Sequence, residues 1–303
     1  MASVWQDVLN VKRIGVQDSF FELGGDSIKA VQIAARLRQH QLQLAIRDLF
    51  RYPTIMKLSP HVQTLARQID QHPVEGEVPL TPIQHWLFEQ SSPLPHHYNQ
   101  AVMLHRRDGF DESVLQRVFE RIVAHHDALR MSYRIEEQGL VQWNGGLVKA
   151  NFGMDVIDLR GESAVEERIA AEAYRLQRGL HLEQGPLLRL GLMKTAEGDH
   201  LLIVIHHLVV DGVSWRILFE DLQTGYEQAQ RGEMIRFPEK TDAFQTWSKA
   251  LARYADSEEL LREIAYWKWI EQTAVTALPI DEGVGEADET GGAVTIKLSR
   301  EET

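Results

Sequence analysis

Cysteine is absent from the 303 residues, which excludes disulfides, thiolate metal sites and a cysteine nucleophile. No apolar run approaches the length needed to cross a bilayer. The N-terminus, Met1-Ala2-Ser3-Val4-Trp5-Gln6-Asp7, has neither the basic nor the apolar region of a secretory signal. Positive charge is scarce too: 32 Lys and Arg face 44 Asp and Glu, for a formal net charge of −12. That balance argues against a general nucleic-acid binder and against an anionic-membrane surface. Together these absences predict a soluble, cytoplasmic chain. What is present is ordinary for a globular protein with a sizeable core, 44% hydrophobic and 25% charged residues. The length predicts two or more compact units.

The first unit is predicted over residues 1–70. Val4, Trp5, Val8 and Leu9 fall at helical spacing. After a loop comes Phe20-Phe21-Glu22-Leu23-Gly24-Gly25-Asp26-Ser27, whose glycines permit a tight turn. Ile28, Val31, Ala34 and Ala35 then mark one face of a helix towards Gln39, which puts Ser27 at a helix N-terminus. Backbone N–H groups and the helix dipole there favour a phosphate ester. An isolated Gly-Gly-Asp-Ser would read as a simple N-cap. With its apolar lead-in and the following Ile28-Lys29-Ala30, the stretch resembles the attachment motif of acyl and peptidyl carrier proteins. The resemblance implies a small all-α four-helix carrier domain, with a 4′-phosphopantetheine arm on the Ser27 hydroxyl and a substrate held on its thiol as a thioester. It also implies a phosphopantetheinyl transferase as partner. Leu49-Phe50, Tyr52-Pro53-Thr54-Ile55 and a helical segment ending near Gln68 complete the expected domain. Asp26 before the serine is similar to carriers that precede epimerization domains.

Residues 71–79, polar with two prolines and a glycine, read as a linker. A second unit is predicted over 80–303. Thr81, Pro82 and Gln84 have the spacing of a capping box with Ile83, Trp86, Leu87 and Phe88 buried. A strand follows at 100–105. Asp111 caps a helix with Val114, Leu115, Val118, Phe119, Ile122 and Val123 on its core face. Ser163 and Glu166 predict another capped helix to Gln177. Leu188, Leu190 and Leu192 alternate as a strand that turns at Glu197-Gly198-Asp199 into the run Leu201–Ile205. Helices are expected after Trp215, at 242–254 and at 258–272, a mobile loop at 281–292, and a strand at 293–298. Ser299 and Glu302 would open a further helix just where the chain stops. Strands mixed with helices make this an α/β unit.

His206-His207-Leu208-Val209-Val210-Asp211-Gly212-Val213-Ser214-Trp215 sits where the central strand emerges, a position at which scaffolds commonly hold reactive groups. Burial with satisfied hydrogen bonds is one reading of the histidines, and proton transfer is another. Adjacent histidines on a strand diverge, and nothing in the sequence brings His125-His126 or His96-His97 to the same point, so no metal site is expected. The whole pattern His-His-x-x-x-Asp-Gly with Ser214-Trp215 resembles the condensation and epimerization superfamily of non-ribosomal peptide synthetases. Leu80–Phe88 and His125-His126-Asp127-Ala128-Leu129-Arg130 are similar to that superfamily's first two motifs. The resemblance implies an α/β lobe like that of chloramphenicol acetyltransferase, and Ser214-Trp215 favour its epimerization branch.

Epimerization removes the α-hydrogen of an aminoacyl thioester and returns a proton to the other face. A neutral imidazole, with a pKa of roughly 6.5, can serve near neutral pH. The resemblance implies His207 as the acid–base residue, His206 as support for the loop, and an ionised Asp211 paired with Arg130. An exposed Arg130 salt bridge of little value is the plainer alternative. The family's second proton-handling group, a glutamate in a Glu-Gly-His-Gly-Arg motif, has no match here. The chain is therefore expected to hold the carrier and about half of an epimerization domain, excised from a synthetase with an upstream adenylation domain and a downstream condensation domain. Peptide-bond condensation and non-catalytic carrier docking are the competing expectations.

Overall fold

The computed structural model describes residues 1–64, 69–90, 95–137, 139–147, 152–185 and 187–276. It divides into a body of Met1–Tyr254 and a second of Ala255–Thr303. Among the described residues no helix is long and apolar enough to cross a membrane.

The N-terminal segment is built from α1 (Ala2–Leu9), α2 (Ser27–Gln39), β1 (Leu42–Gln43), α3 (Ile46–Arg51), α4 (Ile55–Leu58) and β2 (Gln63–Thr64), with β1 and β2 antiparallel. Its own core contains Trp5, Phe20, Ile33, Leu37, Leu49 and Leu58. Trp5 and Phe20 meet edge to face, 5.3 Å between centroids. Replacing either with alanine should cost about 3–5 kcal/mol. The helix expected to reach Gln68 stops at Leu58 instead. Ser59–His61 tightens to a 3-10 turn around Pro60, which has no N–H to continue an α-helix. Residues 65–68 lie outside the described residues.

Within the segment expected as a linker, β3 (Glu75–Val78) pairs with a later strand. Thr81 and Gln84 form the expected capping box of α5 (Pro82–Glu89). Its burial departs from the expectation in part: Phe88 packs against the core and Leu87 is half-buried, but Ile83 and Trp86 are exposed and Gln84 is buried. Gln84 is held inside because its Nε2 donates to Tyr133 Oη (3.1 Å) and Gln142 Oε1 (2.7 Å), which satisfies an otherwise costly polar group.

The remaining elements of the first body are β4 (Asn99–Arg106), α6 (Glu112–His125), β5 (Met131–Glu136), β6 (Gly139–Gly145), β7 (Gly153–Asp158), α7 (Val165–Gln177), β8 (Leu188–Thr195), β9 (Gly198–His206), α8 (Gly212–Gln230) and α9 (Phe244–Ala255). One sheet runs β3-β6-β5; the other runs β4-β9-β8-β7, antiparallel except for β7 with β8. Period-2 alternation gives this second sheet two apolar faces. Leu188, Leu190, Leu192, Leu201, Ile203 and Ile205 join the α6 and α8 residues in one core. Met193, Leu202 and Val204 join Leu176 of α7 in another. Gly191 permits that second contact, since a Cβ there would stand 2.3 Å from Leu176 Cδ1.

The Ser163 cap is not formed. Ala164 is the N-cap of α7 and makes no side-chain bond, because the helix begins one residue later than a Ser163–Glu166 box requires. In the second body, the helix expected over 258–272 is two, α10 (Glu258–Leu261) and α11 (Ile264–Gln272). The loop expected at 281–292, the strand at 293–298 and the Ser299–Glu302 cap lie outside the described residues.

Candidate functional site

Ser27 is the first residue of α2 and is exposed. The cap is Asp26, whose Oδ1 accepts from the amides of Ile28 (2.9 Å) and Lys29 (2.8 Å). The Lys29 amide above all, then the Ile28 amide and the charges of Lys29 and Arg216, hold Asp26 below the usual carboxylate range against its slight desolvation. Because the aspartate caps, the Ser27 hydroxyl is not consumed in capping and remains outward for a phosphodiester. The preceding turn is set by Gly24, at φ +82°, and by Gly25, where a Cβ would lie 2.5 Å from Phe20 O. These features fit a pantetheine attachment site.

At the other site, β9 pairs with β4 in the register Asn99↔His206 and Gln100↔Ile205. His206 ends the strand with the parity of Leu202 and Val204 and is fully buried. Its Nδ1 accepts from the Leu208 amide (3.2 Å) at the turn that follows the strand. His207 lies just beyond the strand and is half-buried. Its amide donates to Tyr98 O (2.8 Å), and its ring stacks on Tyr98 at 5.1 Å and 14°. Ring Nδ1 is 2.9 Å from Val210 O and Nε2 is 3.1 Å from Gln100 Nε2. Trp215 Nε1 donates in turn to Gln100 Oε1 (2.7 Å).

Asp211 caps α8. Its Oδ1 accepts from the amides of Val213 (3.1 Å) and Ser214 (2.8 Å) and from Ser214 Oγ (2.7 Å). Desolvation opposes its ionisation, but the Ser214 hydroxyl, the two amides and the charge of His207 outweigh it and keep the carboxyl below its ordinary range. The expected Arg130–Asp211 pair is not formed. Arg130 is buried and pairs with Asp127, and its Nη1 donates to Val123 O (2.6 Å) and Ala124 O (2.9 Å). It stands one turn beyond the end of α6, where those carbonyls and a carboxylate three residues back are closer partners than any loop. Lys240 Nζ joins the same Asp127 at 3.0 Å.

The histidine pairs also differ from expectation in one respect. His125, His126 and Asp221 each bring a ligand atom within 4.8 Å of the others. His126 Nε2 is already 2.7 Å from Asp221 Oδ2, so the contact ties the end of α6 to α8 and occupies the nitrogen nearest the carboxylate.

α8, which Asp211 caps, also meets the carrier segment. Val213, Arg216, Ile217 and Glu220 recur at helical spacing on one exposed stripe. Arg36, in the last turn of α2, reaches Glu220 at 3.8 Å, and the charge of Arg216 is felt at Asp26. The N-terminal end of α2, with Ser27, thus falls toward the N-terminal part of α8, where Asp211 and His207 stand. Tyr98, Gln100 and Glu220 carry no motif by which the sequence singles them out; only the strand register and helix stripe expose their roles.

A helical carrier segment leads into an α/β lobe with a His-His-x-x-x-Asp-Gly strand end, and comparison with known proteins accords with both parts. The phosphopantetheine attachment site pattern matches residues 1–62 and the condensation domain pattern residues 74–303. The chain belongs to the condensation-domain family of non-ribosomal peptide synthetases, with a phosphopantetheine carrier ahead of that domain. It is 50% identical over 282 residues to tyrocidine synthase 2 of Brevibacillus parabrevis, covering 93% of this chain and 8% of that protein. With gramicidin S synthase 1 of Brevibacillus brevis it shares 51% over 267 residues, covering 88% and 24% respectively. It therefore spans less than a third of the length of either relative. Among solved structures, the epimerization domain from the third module of tyrocidine synthetase B is similar at TM-score 0.67 and 50% identity, covering 69% of this chain and 48% of that one. The starter condensation domain of rhizomide synthetase shares the fold at TM-score 0.55 and 22% identity, covering 64% and 47%.

Proposed function

We propose that this chain is the carrier and the base-bearing lobe of an epimerization unit, acting on an aminoacyl group held on Ser27. The single observation that carries the proposal is the His207 ring: Nδ1 is tied to the Val210 carbonyl while Nε2 is turned towards Gln100 and Trp215. The arm attached at Ser27 would supply a thioester, which acidifies the α-hydrogen of the group it carries. His207 Nε2 takes up that proton, and the charge of the ionised Asp211 favours the imidazolium that forms. Support for epimerization over condensation comes from Ser214 and Trp215, both engaged around His207 and Asp211, and from the 50% identical epimerization domain. Return of the proton to the opposite face needs a second group, and the sequence carries no Glu-Gly-His-Gly-Arg motif. A phosphopantetheinyl transferase is the partner that would install the arm. An upstream adenylation domain would supply the amino acid, and a downstream condensation domain would accept the product.

The test is α-proton exchange. The full polypeptide, pantetheinylated and loaded with an aminoacyl group, is placed in deuterated water, and deuterium at the α-carbon and chirality are followed. Exchange that depends on His207 is expected. Full exchange in His207→Ala overturns the role of that residue, and peptide product of unchanged configuration points to condensation.

A further inference from the structure

Histidine can act as a base through Nε2 only if the proton of the neutral ring sits on Nδ1. The environment of His207 fixes that choice from both sides. Val210 offers a carbonyl oxygen, which only accepts, at 2.9 Å from Nδ1; Nδ1 must therefore carry the proton. On the far side, Trp215 Nε1 only donates, so the Gln100 atom 2.7 Å away is Oε1. The amide group of Gln100 that meets His207 is then the NH2, 3.1 Å from Nε2. An NH2 group only donates, so Nε2 must present its lone pair. The two constraints come from different elements, the β9–α8 loop and the β4–α8 contact, and they agree.

We infer that Gln100 is a positioning residue that holds His207 in the Nδ1–H tautomer, with Trp215 fixing the orientation of the Gln100 amide. This rests on the epimerase assignment above and gives Trp215 a chemical role, because its indole N–H decides which end of a side chain on another strand meets the base. Tyr98, stacked on the ring at 14°, restricts rotation of the imidazole, so the tautomer is set in one orientation. The Gln100 amide also covers Nε2 in the resting chain. It must move aside for an α-carbon to approach, which makes one side chain responsible for both the identity and the exposure of the lone pair.

The decisive measurement is the tautomer itself, read by nitrogen NMR on the full chain with 15N-labelled histidine. In the unsubstituted protein above about pH 8, well past the ordinary histidine pKa, His207 should show a protonated Nδ1 and an unprotonated Nε2. In Trp215→Phe the amide is free to turn over and present oxygen, and a population with protonated Nε2 should appear. Gln100→Glu puts an acceptor-only carboxylate against Nε2. It should hold His207 protonated to higher pH and displace the pH–exchange profile upward, with about a threefold or larger loss of exchange near neutral pH for a displacement of about one unit. A protonated Nε2 in the unsubstituted protein, or a tautomer unmoved by both substitutions, overturns the inference. If exchange is absent but the tautomer behaves as described, the epimerase assignment fails and the role of Gln100 stands. If exchange depends on His207 while the tautomer ignores Gln100, the reverse holds. Well-dispersed spectra of Gln100→Glu and Trp215→Phe separate a tautomer change from loss of fold.

Discussion

Arg36 of α2 reaches Glu220 of α8, Nη2 to Oε1 at 3.8 Å, with both side chains substantially exposed. An exposed pair of this kind contributes less than about 1 kcal/mol to stability, so its effect should lie in delivery of the carrier. Arg36→Glu should leave the thermal midpoint nearly unchanged yet slow His207-dependent exchange, more so at low salt. The double reversal Arg36→Glu with Glu220→Arg should restore it. Exchange rates measured against ionic strength for the unsubstituted protein, Arg36→Glu, Glu220→Arg and the double variant check this, and an unrescued double variant counts against the docking contact.

Coenzyme A and a phosphopantetheinyl transferase should add one arm to the protein. Ser27→Ala should gain no mass under the same conditions. Asp26→Ala should be modified more slowly, because the cap that leaves the Ser27 hydroxyl outward is lost. Intact-mass spectrometry reads all three.

His125 supplies a pH dependence with a definite sign. Burial first, then the neighbouring His126, pushes its pKa down to about 4, against about 6.5 in an unfolded chain. Between those values the unfolded state binds a proton that the folded state does not, so stability rises with pH there. Its contribution is complete above about pH 6.5 and is lost as pH falls towards 4, by at most about 3 kcal/mol. The gap between urea midpoints at about pH 7.5 and about pH 5, on either side of the ordinary histidine pKa, should narrow in His125→Phe. The phenyl ring can pack against Phe237 as the imidazole does at 5.3 Å.

Gln84 joins α5 to the His207 loop by a buried route. It donates to Tyr133 Oη, which itself donates to Leu208 O at 3.3 Å. Gln84→Leu leaves Gln142 Oε1 without its short bond and should cost about 1–3 kcal/mol. Chemical denaturation measures the loss. Slower amide exchange at Leu208 and Val209 in the variant would contradict the link.

Much of this was legible because apolar periodicity is strong where helices meet the sheet: the α6 face and the β8–β9 alternation are where the sequence puts them. β6 was not legible, because its alternation is inverted. Gln142 and Asn144 point inward, where Gln142 Oε1 accepts from Gln84 and Asn144 Nδ2 donates to Asp127 O, while Trp143 is 41% exposed. The same inward polar layer explains why Ile83 and Trp86 face out. The places of His207 past the strand end and of Asp211 at the head of α8 follow from the motif, but the contact of Gln100 with His207 could not be read, since it exists only in the register of β4 against β9. Arg130 pairs locally because a carboxylate three residues away outcompetes a distant one.

Gln100 and Trp215 stand 115 positions apart along the chain, and the β4–β9 pairing that places Gln100 is comparably long in range. Contacts of this separation close late in folding, after local helices and the β8–β9 hairpin have formed. During synthesis, His207 would therefore leave the ribosome before the helix that orders its environment, and a nascent chain would contain the base without a defined protonation site. On the proposed role of His207, a population in which α8 had not docked would keep its strands and its histidines while remaining chemically silent.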